Sequence, residues 1–149
     1  MPHFEIRAIG KLRGPLAEVL ADYRKRLGDD CKLSEYEPPK GLTGIALQRK
    51  EAAFLIADLP AHPVIVLDER GKDEGSVAFA QRLARWQEAG GATFLLGGAD
   101  GHAPEVRERA DYLLTLGQKT WPHLLARVML VEQIYRARQI LAGHPYHRV

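Results

Sequence analysis

The last residues of the sequence carry the side chains best suited to chemistry. His144, Tyr146, His147 and Arg148 occur close together. Histidine titrates near neutral pH and can accept a proton, tyrosine can donate or accept a hydrogen bond, and arginine can bind phosphate or polarise a carbonyl. A tail that only packs over a sheet would explain this composition about equally well. The residue types alone therefore leave a reactive site and a packed tail open.

Glycine clusters follow two apolar runs upstream of this tail. Gly97, Gly98 and Gly101 follow the first run, and Gly117 begins a Gly-Gln-Lys-Thr stretch after the second. Glycine lets the backbone approach a ligand closely and leaves amide N–H groups able to point at it. The first cluster lacks the spacing of the dinucleotide-binding fingerprint. A tight strand-to-helix turn would explain the glycines almost as well as a binding site.

Metal and nucleophile sites have little support in the sequence. Cys31 is the single cysteine, which excludes an intramolecular disulfide and a site built from several thiolates. We expect it to be a packing residue, with a reactive thiol as the alternative. His123 is a third histidine that could join His144 and His147 at a metal, but no carboxylate lies next to them in the sequence, so we predict no metal site. No serine lies in a Gly-x-Ser-x-Gly elbow.

Length and composition are typical of a globular protein. A chain of 149 residues predicts a single domain over residues 1–149. Hydrophobic residues at 46% and charged residues at 27% lie near the average for globular domains. No apolar run approaches the roughly 20 residues of a membrane span, and no signal peptide is visible. We therefore expect a cytoplasmic protein without a membrane partner, and its net charge of +2 permits contact with nucleic acid without requiring it.

Strands and helices are predicted to alternate along the chain. Apolar or alternating runs that stop at glycine, proline or charge predict strands over residues 4–8, 31–37, 63–67, 92–96 and 112–116. Helical spacing predicts helices over residues 15–27, 45–59, 77–89, 104–110 and from 122 or 123 to 141. This alternation predicts an α/β fold with a mostly parallel sheet and helices on both faces, and such sheets bind ligands beyond the carboxyl ends of their strands.

Charges on two of these helices lead to further expectations. Residues 49–51 (Arg-Lys-Glu) are predicted on the outer side of their helix, where a solvated face is favoured over contact with a phosphate backbone. The last helix is apolar on nearly all sides between residues 124 and 131, which predicts that a second subunit covers it. Glu132 and Arg136 of that helix are four residues apart and are expected to pair.

The order of these features resembles the RlmH family of ribosomal RNA methyltransferases, which belong to the knotted SPOUT superfamily. The resemblance rests on Leu67-Asp68 with Gly71-Lys72, on the stretch FLLGGADG, and on TWPHLLARVMLVEQIYRARQILAGHPYHR. It extends over essentially the whole chain. It implies a C-terminal trefoil knot, a homodimer, and methylation by S-adenosylmethionine of N3 of a pseudouridine in 23S, large-subunit ribosomal RNA on assembled ribosomes.

The resemblance also implies a cofactor site. It assigns S-adenosylmethionine to the strand end at Leu67, the turn at Gly98, and a loop that consists of Gly117, Gln118, Lys119, Thr120, Trp121 and Pro122. Relatives often have Ser-Leu-Ser or Ser-Ala before the threonine of this loop, where the present chain has Leu116-Gly117-Gln118. The change removes a contact only if the cofactor is bound by a serine hydroxyl. The alternative function is an inactive ribosome-binding module of the same fold, and this loop is its only support in the sequence.

The matching tail implies where catalysis takes place. By resemblance, Tyr146, His147 and Arg148 face the target base. We expect His147 or Tyr146 to handle the N3 proton or the neighbouring carbonyl, and Arg148 or Arg136 to contact phosphate. Which residue accepts the proton stays open. We also expect each tail to help complete a site that contains the cofactor bound by the other subunit.

Overall fold

Five parallel strands form one sheet. The computed structural model describes residues 3–148, so Val149, the end of the predicted tail, lies outside the described residues. The strands are β1 Phe4–Ile9, β2 Cys31–Tyr36, β3 Val64–Lys72, β4 Ala92–Leu96 and β5 Tyr112–Leu114. Their spatial order is β2-β1-β4-β3-β5, and each of the four pairings is parallel. The parallel α/β sheet predicted from the sequence is confirmed.

Helices cover both faces of this sheet. They are α1 Pro15–Leu27, α2 Gly44–Ile56, α3 Ser76–Glu88, α4 Pro104–Arg109 and α5 His123–Leu141. Apolar residues of α1, α3 and α5 share one buried cluster with the sheet, and those of α2 and α4 share a second cluster. Strand β4 lies between these layers, and each of its residues is buried. Burial on both faces explains why its sequence is almost wholly apolar rather than alternating.

The chain positions helix α1 by local means. Pro15 is its first residue, where a missing N–H costs nothing because the first turn has no intrahelical partner for it. Gly28 follows the last residue with φ of 70°, a left-handed conformation that favours glycine. Both boundaries agree with the sequence prediction.

Strand β3 departs furthest from its predicted bounds. The strand continues through the charged stretch to Lys72, five residues beyond Leu67, because Lys72 pairs with Leu114 after a bulge. Strand β5 ends at Leu114, two residues earlier than predicted. The β3 extension crosses β5 closely, since a Cβ at Gly71 would lie only 2.5 Å from the backbone carbon of Leu114. Glycine at position 71 therefore permits this close pairing, and the C-terminal knot that the resemblance implies stays a prediction.

The other predicted bounds differ from the structure by at most three residues. The largest of these differences is at the end of α2, which stops at Ile56 because Ala57 is extended. Arg7 of β1 binds this helix end by donating hydrogen bonds to the carbonyl oxygens of Leu55 and Ala57. A contact from strand β1, which is distant in sequence, therefore stabilises the end of helix α2.

Helix α5 packs within its own chain more extensively than expected. Its residues from 123 to 140 are buried or half-buried, because α1 and α3 pack against it. Arg127 is fully buried and donates hydrogen bonds to the carbonyl oxygens of Ile9 and Gly10 and to the carboxylate of Glu35. Neighbouring helices thus account for much of the apolar character that predicted a second subunit, and the homodimer stays a prediction. Within residues 3–148, no helix has both the length and the apolar character needed to cross a bilayer.

Candidate functional site

A cleft of about 870 Å³ lies beyond the carboxyl ends of β3, β4 and β5. Its walls come from three chain segments at strand ends, residues 67–70, 96–102 and most of 114–122, and from residues of α2, α4 and the start of α5. Parallel strands bring their carboxyl ends to one edge of a sheet, so loops distant in sequence meet there. The strand ends that the sequence predicts to share a crevice all line this cleft.

Most residues predicted to hold the cofactor line this cleft. They are Leu67, Gly98, Lys119, Thr120, Trp121 and Pro122. Gly117 and Gln118 do not belong to its lining. Gly117 has φ of 111°, which favours glycine, and its carbonyl oxygen accepts a hydrogen bond of 2.6 Å from Thr115 Oγ1. Gly117 therefore shapes the loop from outside the cleft lining, and the effect of the departure at Gly117-Gln118 on cofactor binding stays a prediction.

Two side-chain contacts hold the 117–122 loop over the mouth of the cleft. Trp121 Nε1 donates a hydrogen bond of 3.2 Å to the carbonyl oxygen of Leu116, which closes the loop on itself. Thr120 Oγ1 donates to Glu69 Oε2 at 3.4 Å and so ties the loop to the end of β3. The loop and the β3 extension thereby form opposite sides of one opening.

The Gly97–Gly98 turn leaves room for only a bare backbone. A Cβ at Gly97 would lie 3.2 Å from the backbone of Gly101, and one at Gly98 would lie 3.0 Å from Glu51 Oε2. Either contact is tighter than an ordinary van der Waals approach, so a side chain at Gly97 would press on the backbone of Gly101, and one at Gly98 would require the Glu51 carboxyl or the turn to shift by a few tenths of an ångström. The glycines therefore let the backbone form the wall of the cleft.

Glu51 corrects a sequence prediction. The pattern predicts it on the outer side of α2 with Arg49 and Lys50, which are exposed, but Glu51 is only 4% exposed. The helix turns it towards the sheet, on the side of the buried Ala52. Burial raises the pKa of the Glu51 carboxyl, and the nearby negative charge of Asp100 raises it further. A carboxyl group therefore stands behind the glycine turn.

The cleft combines an apolar interior with a charged mouth. Its apolar lining includes Leu67, Leu96, Leu114 and Leu116, whereas Glu69, Arg70, Asp100 and Lys119 are exposed at its opening. The apolar interior fits a planar, uncharged nucleoside. The mouth, which carries charges of both signs, fits a zwitterionic amino-acid chain. These residues therefore fit S-adenosylmethionine, which joins the two.

Sequence reasoning missed three polar residues of this cleft. Gln48 of α2 lines it and donates a hydrogen bond of 2.6 Å to the carbonyl oxygen of Asp100. His102 and Arg107 also belong to the lining. The position of His102, immediately after the last glycine of the turn, is the one signal in the sequence that could have pointed to it.

The tail of the same chain lies elsewhere, against α1 and α5. Tyr146 Oη donates a hydrogen bond of 3.1 Å to Glu132 Oε1 and lies 3.4 Å from Tyr23 Oη. Burial raises the pKa of Tyr146, and the hydrogen bond with Tyr23 and the charge of Glu132 raise it further, so the phenol is protonated at neutral pH. Tyr146 does not line the cleft. The predicted meeting of tail and cofactor loops is therefore not formed within one chain.

The charged groups of the tail also follow α5. Arg136 Nη1 lies 3.0 Å from His147 Nδ1, and Arg148 is exposed. The predicted pair of Glu132 and Arg136 is confirmed, with 2.7 Å between Oε1 and Nη2. Glu132 lies nine residues after the start of α5 at His123, which is roughly 14 Å along the helix axis from that start.

A second cavity of about 570 Å³ lies among helices α1, α3 and α5, which cover one face of the sheet. Its lining includes Tyr23 and Glu132, the two partners of Tyr146. Residues 114–116 line both this cavity and the cleft. A single chain segment therefore separates the proposed cofactor loops from the partners of the tail.

The histidines do not assemble into a metal centre within the described part of the chain. His123 lies at the start of α5, where its Nε2 would be 3.7 Å from a Cβ at Gly10. His147 contacts Arg136 further along the helix. In residues 3–148, no three side chains of His, Cys, Asp or Glu are grouped in a way that could hold a metal ion.

Comparison with known proteins places this arrangement in a family. The family model described as "Predicted SPOUT methyltransferase" matches residues 3–147. A ribosomal RNA large subunit methyltransferase H from Rhodospirillum centenum is 52% identical over 96% of this chain and 97% of its own length. The protein of the same name from Paramagnetospirillum magneticum is 49% identical over the same shares.

A distant structural likeness exists to a ribosomal RNA small subunit methyltransferase E from Neisseria gonorrhoeae, solved bound to S-adenosyl methionine. Its identity is 13% and its TM-score 0.48, over 94% of this chain and 67% of that one. The family-model match and the near full-length sequence relatives carry the assignment. The chain belongs to the SPOUT methyltransferase family.

Proposed function

We propose that this protein is a methyltransferase that uses S-adenosylmethionine to methylate large-subunit ribosomal RNA. The observation that carries the proposal is the cleft in which the end of β3, the Gly97–Gly98 turn and the 117–122 loop meet. The names of the full-length relatives support the substrate class. We propose that it acts as a single domain over residues 1–149 and in the cytoplasm, where bacterial ribosomes are found.

The cofactor-binding residues in this proposal are those that the resemblance implies. Leu67 and Gly98 contribute the backbone of two strand ends, and Lys119 to Pro122 contribute the facing loop. Gly117 and Gln118 set the course of that loop from behind the lining. When bound there, S-adenosylmethionine supplies an electrophilic methyl group on a sulfonium. The protein must align the acceptor with that methyl group and provide for the acceptor's proton.

The finer target is N3 of a pseudouridine on assembled ribosomes, and the acting unit is a homodimer. A tail that packs on α5 in its own chain is proposed to complete the cleft of the other subunit. Val19 of α1 supports this dimer because it is an exposed apolar residue that lines the second cavity together with the tail's partner Tyr23, and Leu16 of the same helix is exposed as well. The modest net charge of +2 supports recognition of a large assembled target rather than of free RNA.

The hydrogen bonds of the tail divide the roles of its side chains. Arg136 is always protonated, so it donates to His147 Nδ1, and neutral His147 then carries its own proton on Nε2. This tautomer lets His147 donate to the carbonyl beside N3 rather than take the N3 proton. We assign the proton transfer to Tyr146: its oxygen accepts the N3 proton as the hydroxyl proton moves to the Glu132 carboxylate. Arg148 is assigned to a phosphate.

Methyl transfer and cofactor binding test this proposal separately. Purified protein and S-adenosylmethionine with a labelled methyl group should label intact ribosomes and label naked ribosomal RNA far less. Deletion of residues 146–149 should abolish transfer while calorimetry shows the same cofactor affinity. A control variant at an exposed residue outside the tail and the cleft, Glu88→Gln, should retain transfer.

Two results would contradict the proposal. Absence of cofactor binding by the intact protein would favour the inactive ribosome-binding module. Full turnover by the truncated protein would remove the tail from catalysis, and full turnover by Tyr146→Phe would remove the assigned proton transfer.

A further inference from the structure

His102 is a buried imidazole in the lining of the cleft. It lies between the Gly97–Gly98 turn and α4, and only 6% of its surface is exposed. Its ring packs against the turn, since a Cβ at Gly97 would lie 3.2 Å from His102 Cε1. Within residues 3–148, neither ring nitrogen makes a hydrogen bond of normal geometry. A buried polar group without a partner is costly, so its place at a ligand cleft calls for an explanation.

The surroundings of the ring keep it neutral and orient one of its nitrogens. Burial lowers the pKa of His102, and Arg107 lowers it further, while Asp68 and the carbonyl oxygens of Leu95 and Leu67 oppose the shift. These two carbonyls are acceptors close to the ring, towards which its single N–H can point. The other nitrogen of a neutral imidazole is an acceptor that requires a donor. No donor within residues 3–148 supplies that hydrogen bond.

The nearby charged groups are committed to other contacts. Arg107 Nη1 donates a hydrogen bond of 2.8 Å to the backbone oxygen of His102 rather than to its ring. Asp68 lies 3.7 Å from both Arg107 and Arg70 in ion pairs. Arg107 thus holds His102 through its backbone oxygen and gives its ring no donor. Both ring nitrogens are covered in this structure, so a ligand in the cleft that His102 lines reaches the acceptor nitrogen when the neighbouring Gly97–Gly98 turn shifts.

We propose that His102 binds the nucleoside part of the methyl donor by accepting a hydrogen bond from it. This inference rests on the proposed function, because it requires the cleft to hold S-adenosylmethionine. A nucleoside offers two kinds of donor, the exocyclic amine of adenine and the hydroxyls of ribose. The ring lies among the apolar strand ends of Leu67 and Leu96, where an uncharged group fits. The charged mouth at Glu69 and Lys119 suits the amino-acid end.

Binding of S-adenosylhomocysteine, measured by calorimetry, tests the assignment without dependence on turnover. His102→Leu removes the acceptor and should weaken binding about tenfold, the loss expected for one neutral hydrogen bond with a buried partner. His102→Asn keeps an acceptor oxygen and should recover part of the loss, and it serves if the leucine variant does not fold. Glu51→Gln is the matched control, because Glu51 is buried beside the same turn but does not line the cleft.

Ligand analogues identify the donor. An analogue with a carbonyl in place of the adenine amine, and another without the ribose 2′-hydroxyl, should each be compared on wild type and His102→Leu. One analogue lacks the group that donates to His102. Its affinity for wild type should be about tenfold weaker than that of S-adenosylhomocysteine, and His102→Leu should not weaken its binding further. In Glu51→Gln, the discrimination between analogues should equal that of wild type.

The outcomes separate this inference from the proposed function. If wild-type protein binds no S-adenosylhomocysteine, the proposed function fails and the inference fails with it. If wild type binds and His102→Leu binds equally well, the inference alone is wrong. If His102→Leu lowers the affinity for every ligand by the same factor, including both analogues, His102 only positions the turn. The direct contact is then likewise refuted.

Discussion

Replacement of Arg127 by methionine should be among the most destabilising single changes in this protein. Methionine fills a similar volume and suits a helix, but it cannot donate hydrogen bonds. The change removes the bonds to the carbonyl oxygens of Ile9 at 2.7 Å and Gly10 at 2.9 Å, together with the ion pair to Glu35. These bonds join the start of α5 to the carboxyl end of β1, next to the proposed cofactor loops.

The expected magnitude follows from the burial of the groups left behind. Removal of one member of a buried ion pair typically costs about 3–5 kcal/mol. The side chain of Glu35 is 25% exposed and still accepts a hydrogen bond from the Leu12 amide, so part of its charge stays solvated. We therefore expect the lower end of that range, about 3 kcal/mol, a shift of roughly 150-fold in the unfolding equilibrium.

Equilibrium unfolding in urea at pH 7, approached from both the folded and the unfolded side, measures this loss. Arg109→Met is the matched control, because the Arg109 side chain is 45% exposed and lies 3.9 Å from its partner Asp111. An exposed pair of this kind is worth about 0.5 kcal/mol or less. If Arg127→Met cost no more than the control, the role assigned to Arg127 in holding α5 would be wrong.

Three further changes test other parts of the structure. Gly98→Ala brings a Cβ within 3.0 Å of Glu51 Oε2 and 3.3 Å of Ile9 Cγ2, two buried side chains with little room to shift, so we expect the turn to move and the affinity for S-adenosylhomocysteine to fall roughly tenfold by calorimetry; unchanged affinity would mean that these side chains give way instead. Burial acts to raise the pKa of Asp30, but the hydrogen bonds from His3 and the positive charge of Arg138 together lower it more. This carboxylate therefore stabilises the fold above its unfolded pKa of 3.8, and the stabilisation is lost as pH falls through the lower folded value. Asp30→Asn should accordingly lower the melting temperature at pH 7 and make little difference at the acid end, whereas an equal loss at both pH values would refute the linkage. Cys31 has a pKa raised to about 11 by burial, so a thiol reagent at pH 7.5 should label it much more slowly in native protein than in urea, and equal rates would contradict its inert role.

The features that the sequence predicts well are set by local physics. The apolar run of β4 reflects burial on both faces of a central strand, and Pro15 and Gly28 mark the ends of α1 through their own backbone preferences. The convergence of the strand ends follows from parallel pairing alone. These rules need no knowledge of distant contacts, which is why they succeed without a structure.

The features that the sequence predicts poorly depend on contacts between distant segments. β3 continues through charged residues because Lys72 finds a partner in β5, some 40 positions later in the chain. The sequence predicts Glu51 on the surface, but the Gly97–Gly98 turn, which lies far from it in sequence, packs against its carboxyl group. The sequence shows Arg127 only as a charged interruption in an apolar helix, but the side chain is buried and donates hydrogen bonds to Ile9 at the end of β1, to Gly10 just after it, and to Glu35 of β2.

In the candidate site, too, some features follow from local sequence patterns and others depend on contacts between distant segments. The cofactor loops follow from a family pattern together with strand order, so most of their predicted residues meet in one cleft. The tail lies away from that cleft in its own chain, and its expected role in the site of another subunit stays a prediction, because the position of a short segment after a long helix depends on the surface that covers it. His102 was missed because its importance lies in its burial rather than in its type.

The most direct test of the central claim is to map methylation of the ribosomal RNA itself. Ribosomes from cells that lack this protein should be incubated with it and S-adenosylmethionine, and the large-subunit RNA should then be digested and analysed by mass spectrometry. We predict one fragment heavier by a single methyl group, with the added mass at N3 of a pseudouridine, and no such fragment when Tyr146→Phe replaces the wild type. A large-subunit RNA with the same masses before and after incubation would contradict the account.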